Sequence, residues 1–491
     1  MKKLSYKTLE EMNYDGYLLK DAPERVLQFG EGNFLRAFVD YFIDRMNEEA
    51  GFNSKVCVVQ PIAFDARQRF KDQDALYTLY LRGQENGEKV NKKRIISALS
   101  RVINAYLDYD AYMACAENPD LRFIASNTTE AGIVYDPECK FEDKPANSFP
   151  GKLTQFLYKR FNLGLKGFII LSCELIDHNG DELKRCVHEY VRQWGLGDEF
   201  DAWVDSENIF CSTLVDRIVP GYPRADAEQL WAELGYEDNN LDTGEVFGAW
   251  VIEGPQSIKE EFPFEKVGLP IMVVDDVTPY KQRKVRILNG AHTSFVLASY
   301  LKGNDFVNQS MQDPIMQDFM MKTIHEEVIP TLTLPKADLE EFANAVVDRF
   351  NNPFIQHSLL AIALNSVSKW KARCLPSFLG YVEKFGKLPE HLTFSIASLM
   401  AFYSATELTD GALKGHRGDD VYDIKDDAAV LEFFRDNSAK ETGEFVHAYL
   451  SNEAFHGQDL TKIEGLEAKV TEYLGAIRSE GMEKALVKYF G

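Results

Sequence analysis

The stretch from Arg25 to Met46 constrains the fold more than any other part of the chain. Arg25-Val-Leu-Gln-Phe29 is a short apolar run, Gly30-Glu31-Gly32 a glycine turn, and Ala37 to Met46 an amphipathic repeat at helical spacing. That order predicts strand, tight turn and helix. Lys55-Val-Cys-Val-Val-Gln60 follows about one βαβ unit later, and Phe123-Ile-Ala-Ser126 and Gly167-Phe-Ile-Ile-Leu-Ser172 are further apolar strands ending in polar residues. Strands alternating with helices predict an α/β, Rossmann-type domain with a mainly parallel sheet.

Beyond Ile271-Met-Val-Val-Asp-Asp276 the pattern changes, because Thr278-Pro279 interrupts the chain and apolar positions then recur at helical spacing, as in 315–329, 337–350, 390–404 and 428–436. One hydrophobic core stops growing at roughly 250–300 residues. A chain of 491 residues is therefore expected to divide, here into the Rossmann-type domain over 1–279 and a predominantly α-helical domain over 280–491.

Charge and cysteines narrow the function. The net charge of -23, with no basic stripe interleaved with aromatics, argues against nucleic acid as a partner and does not decide the charge of a substrate. No run of ~18 apolar residues predicts a membrane span, and the N-terminus lacks the apolar core of a signal peptide, so the protein is expected in the cytosol. The seven cysteines are scattered without a CxxC pair and read as reduced, mainly buried thiols. No histidine pairs with another at ligand spacing, so no metal is expected. No Gly-x-Ser-x-Gly elbow points to a hydrolase.

Gly30-x-Gly32 between strand and helix lets a backbone approach a pyrophosphate at a helix N-terminus. The motif is incomplete: Leu35 takes the third glycine's position, and Gln60-Pro61 ends the second strand where an acid usually holds the adenosine ribose. A glycine turn without a ligand is the competing reading.

The most informative segment runs from Tyr280 to Ser299. On a regular helix Lys284, His292 and Asn289 fall at about 0°, 80° and 140°, close enough to share a cleft. Reducing a ketone requires a proton donor and fixed dipoles at the oxygen that becomes an alkoxide. Lysine, amide and imidazole can supply them. A solvated lysine, a local kink and a hydrogen-bonded core histidine are the alternative.

Lys284-x4-Asn289-x2-His292 resembles the signature of the polyol-specific long-chain dehydrogenases/reductases, the mannitol dehydrogenase family. Gly30-Glu-Gly32-Asn-Phe34-Leu-Arg36-Ala37, Asn127-Thr-Thr-Glu130-Ala-Gly132 and Val215-Asp216-Arg217-Ile218 agree in type and order. The resemblance implies an NAD-dependent oxidoreductase. It implies Lys284 as general acid/base, Asn289 and His292 as groups that polarise the reacting oxygen, and Asp216 and Lys369 in the substrate site. By the same resemblance Phe29, Gly30, Glu31, Gly32, Asn33, Phe34, Asn127, Thr128 and Glu130 hold the cofactor. A catalytically silent nucleotide-binding regulator is the non-enzymatic alternative.

Two departures point away from free polyols. Mannitol dehydrogenases carry Cys-Asp-Asn where this chain has Cys173-Glu174-Leu175, and Ala361 replaces an arginine eight residues before Lys369. A six-carbon keto-aldonate is the implied substrate. Its carboxylate needs a cationic partner, for which Lys369, Lys371 and Arg373 are candidates.

Overall fold

Alternate residues of the first strands bury toward opposite sides of one sheet. Val26, Val58, Phe123 and Leu171 enter one apolar cluster, whereas Leu27, Phe29, Val59, Ile124 and Ile170 enter another. A strand covered on both faces must be apolar throughout, which explains the near-continuous hydrophobic runs. The computed structural model describes all 491 residues and clusters into two units: residues 1–82 with 90–277, and residues 83–89 with 278–491.

The first unit is built on eight strands: β1 (Glu24–Phe29), β2 (Lys55–Gln60), β3 (Leu99–Asn104), β4 (Phe123–Ser126), β5 (Ile169–Ser172), β6 (Ile209–Asp216), β7 (Ala249–Glu253) and β8 (Ile271–Val274). Their order across the sheet is β8-β7-β6-β5-β4-β1-β2-β3. Strands β1 to β6 are mutually parallel in the Rossmann order, and β7 runs antiparallel to β6. The order reverses between β1 and β4, so their C-terminal loops open from a common crevice.

Helix and sheet meet without clearance at Gly180, the second residue of helix Asn179–Gln193. A Cβ there would lie 2.3 Å from the Cys211 carbonyl carbon and 2.4 Å from the Ser212 nitrogen. Backbone cannot yield as a flexible side chain does. Gly180→Ala is therefore expected to cost at least about 1–3 kcal/mol, lowering Tm by about 2–4 °C per kcal/mol in a domain of this size. Thermal denaturation followed by circular dichroism measures this; an unchanged Tm would mean the helix can shift freely.

The second unit is mainly helical. Helices Gly290–Lys302 and Glu390–Phe402 are buried along almost their whole length and form its centre. Their side chains are apolar around most of the circumference, as a central helix requires. The unit also holds an antiparallel sheet of Leu408–Thr409, Ala412–Arg417 and Asp420–Ile424, which the helical reading of this region did not include. Its turn signal is Asp410-Gly411, both at positive φ (53° and 73°), the two-residue hairpin loop that matches strand twist. Asn86-Gly87 does the same between Tyr77–Glu85 and Glu88–Ile96.

Three helical stretches expected to be regular contain π turns: Arg36–Asp40, Lys284–Asn289 and Thr323–Val328. Hydrophobic periodicity does not reveal a single inserted residue. No helix is long and apolar enough to cross a membrane.

Candidate functional site

In the first unit the glycine turn leaves β1 with Gly30 at φ +117°, a conformation that disfavours any side chain. Gly30 N donates to Val59 O at 2.9 Å, which holds the turn against the end of β2. A Cβ at Gly32 would meet nothing within 4 Å, so the backbone is open to a ligand on that side. Gly32 then caps a helical stretch over 33–50, interrupted only by its π turn. An open glycine before a helix N-terminus fits a pyrophosphate. Leu35, at the third-glycine position, is buried, with Cδ1 3.2 Å from where a Gly30 Cβ would stand.

The expected cofactor residues differ in what they present. Phe29 is fully buried, its ring packed on Tyr112 and Phe149, so only its backbone belongs to the turn. Asn33 Oδ1 accepts from Arg36 Nη2 at 2.6 Å, and Phe34 stacks on Phe38. Asn127, at the end of β4, donates through Nδ2 to Cys173 O at 3.2 Å and through its backbone to Phe29 O at 3.4 Å. This ties the ends of β1, β4 and β5 together. Glu130 is exposed, and Thr129 before it sits at φ +86°.

Glu174 organises this loop and was not singled out by sequence. It is 2% exposed and accepts from Ser126 Oγ (3.1 Å), Thr128 N (3.1 Å) and Thr128 Oγ1 (3.0 Å). Burial pushes its pKa up, and these hydrogen bonds oppose the shift. Leu175, beside it, is 63% exposed and donates nothing from its side chain. Asp216 ends β6 and is buried.

In the second unit Lys284 opens the π turn, Asn289 closes it, and His292 lies one turn into the next helix. A π turn inserts one residue, so side chains across it are rotated by about 100° relative to a regular helix. Lys284 and His292 then relate as residues seven apart, about 20° from eclipsed, and Asn289 lies about 40° to the other side of Lys284. The regular-helix spread of about 140° is corrected to about 60°. All three keep partial exposure.

His292 stacks on Phe350, with ring centroids 4.0 Å apart and an interplanar angle of 16°. His357 meets it edge-on at 5.3 Å. His292 Nε2 is buried and has no hydrogen-bond partner. Burial, then the charges of His357, Arg349, Arg373 and Lys369, hold its pKa well below the ordinary imidazole value.

Helix Ser366–Arg373 supplies two of those cations. Its end packs closely on the segment that carries His292, a Gly290 Cβ standing 3.3 Å from Arg373 O, and Arg373 Nη1 donates to Thr293 Oγ1 at 3.3 Å. Lys369, one turn earlier, donates to Ile362 O at 2.9 Å. Burial lowers the pKa of both. Lys371 instead lies against Gly457 and influences His456. Of the three candidate cations, the fold brings two toward His292. No group of three or more His, Cys, Asp or Glu side chains is arranged to hold a metal ion, and all seven cysteines are buried free thiols.

A Rossmann unit with an open glycine turn and a helical unit with lysine, amide and imidazole on one helix face define an oxidoreductase architecture. Residues 24–266 match the mannitol dehydrogenase Rossmann domain and residues 276–478 the mannitol dehydrogenase C-terminal domain, so the chain belongs to the mannitol dehydrogenase family. It is 45% identical to the altronate oxidoreductase of Yersinia enterocolitica, over 98% of this chain and 99% of that protein, and 45% identical to that of Escherichia coli over the same shares. Among solved structures, D-sorbitol dehydrogenase superposes with a TM-score of 0.82 at 23% identity, over 98% of this chain and 100% of the other. Mannitol 2-dehydrogenase of Pseudomonas fluorescens, solved with NAD and D-mannitol, gives a TM-score of 0.67 at 24% identity over 99% of each chain.

Proposed function

We propose that this chain is a cytosolic, NAD-dependent altronate oxidoreductase that interconverts tagaturonate and altronate. The observation that carries the reading is the unsatisfied Nε2 of His292 in a setting of cationic side chains. A neutral imidazole can donate to a carbonyl oxygen, and Lys369 and Arg373 favour a substrate with a carboxylate. Full-length similarity to proteins named altronate oxidoreductase supports the same substrate class.

On this reading the first unit, expected over 1–279, binds the dinucleotide, and the second, over 280–491, carries the reacting groups. Bound NADH supplies a hydride to the ketone carbon. Lys284 donates its proton to the oxygen as the hydride arrives, and its neutral amine takes that proton back in altronate oxidation. Asn289 and His292 hold the oxygen and stabilise the charge that develops on it. Asp216 and Lys369 position the substrate. Gly30 and Gly32 admit the pyrophosphate, and Asn127, tied to Cys173 O, and Thr128, fixed by Glu174, shape the loop beside it.

The test is NADH oxidation with tagaturonate, fructuronate and fructose compared side by side, before and after exhaustive chelation. Tagaturonate is expected to give a kcat/KM at least ~10-fold above the other two, about 1.4 kcal/mol in transition-state binding. Chelation should change none of the rates, because lysine and fixed dipoles do the work of a Lewis acid. Equal rates on fructose would move the enzyme to free sugars, and no turnover on any ketone would favour a silent nucleotide-binding protein.

A further inference from the structure

The end of β2 lacks the acid that usually accepts a hydrogen bond from the adenosine ribose, and Gln60 stands there instead. Gln60 is fully buried and both ends of its amide are used: Oε1 accepts from Ala66 N at 3.2 Å, and Nε2 donates to Glu31 Oε1 at 2.8 Å. Gln60 therefore anchors a carboxylate rather than meeting a ligand. That carboxylate comes from the glycine turn itself. Its backbone is fixed by Gly30 N on Val59 O and by Arg36 Nε donating to Glu31 O at 3.2 Å. Glu31 keeps partial exposure.

We propose that Glu31 replaces the missing strand-end acid: its carboxylate, held at the end of β2 by Gln60, accepts from the ribose hydroxyls of NAD(H) and repels the 2′-phosphate of NADP(H). This rests on the reading of the first unit as a dinucleotide-binding domain. The chemistry is that of a short anion facing a diol: a 2′-hydroxyl donates to it, whereas a 2′-phosphate brings like charges together. Arg69 is the counterweight. It feels the charges of Arg36, Glu31 and Asp238, so removing the Glu31 charge shifts the local balance toward the cations.

The experiment compares wild-type protein with Glu31→Gln and Glu31→Asp, each first checked for an unchanged Tm. Dissociation constants for NADH and NADPH are read by fluorescence titration, alongside kcat/KM with each cofactor. The wild type is expected to prefer NADH. Glu31→Gln should lower the NADH-to-NADPH ratio of affinities and of kcat/KM by at least ~10-fold, with NADPH binding tightened. Glu31→Asp, which keeps the charge, should still disfavour NADPH. A Glu31→Gln ratio within about twofold of wild type, or a wild type that prefers NADPH, would overturn the assignment. If the wild type binds neither dinucleotide, the underlying reading of the domain fails first.

Discussion

Replacing Lys284 by Ala is expected to lower kcat by about 10²–10⁴-fold in both directions, the usual loss for a positioned acid/base, while the NADH dissociation constant changes little. Lys284 begins the π turn whose inserted residue rotates it onto the face that carries His292. An ammonium there can protonate the nascent alkoxide, and the alanine methyl leaves that step to water. The ammonium serves ketone reduction and the neutral amine serves altronate oxidation, so both directions should lose rate. Single-turnover hydride transfer, followed by NADH absorbance, isolates the step. A Lys284→Ala enzyme with near-normal turnover would mean that the proton travels by another route.

His292→Ala is expected to cost about 10²–10³-fold in kcat, the usual loss for one donor at a developing oxyanion. The pH dependence separates this role from acid catalysis. Burial and the surrounding cations lower the His292 pKa, so in the folded protein the ring stays neutral well below its ordinary titration range. The limbs of the kcat profile should therefore be the same in wild type and variant. The same shift links to stability, and burial lowers His357 and His456 as well, the latter to about 4. For a histidine with a depressed folded pKa, the unfolded chain binds more protons. The stability contributed by the neutral ring is full above about pH 6.5 and is lost as pH falls toward the folded value. Denaturant titrations between pH 8 and 5 should show this decline attenuated in His292→Ala. A profile limb that vanishes with the imidazole would instead make His292 a titrating acid.

The sequence alone determined the strand–glycine–helix opening, the Rossmann-type first domain and the helical character of the second, because burying a strand or a helix face imposes a local period on the residues. It also placed Lys284, Asn289 and His292 on one helix. Tertiary structure decided the rest. The π turn that narrows their spread leaves the apolar pattern unchanged. Glu174 reads as an ordinary acid until Ser126 and Thr128, nearly fifty positions earlier, donate to it. Lys369, Lys371 and Arg373 are equivalent as letters; packing of their helix on Gly290 turns two toward His292 and the third toward His456. The acid that seemed missing after β2 reaches the strand end from the neighbouring glycine turn, because β1 and β2 pair in parallel and bring Glu31 beside Gln60 across 29 residues of chain. Local patterns record what each segment must bury, whereas a polar site is assembled by contacts between segments, whose partners no local period specifies.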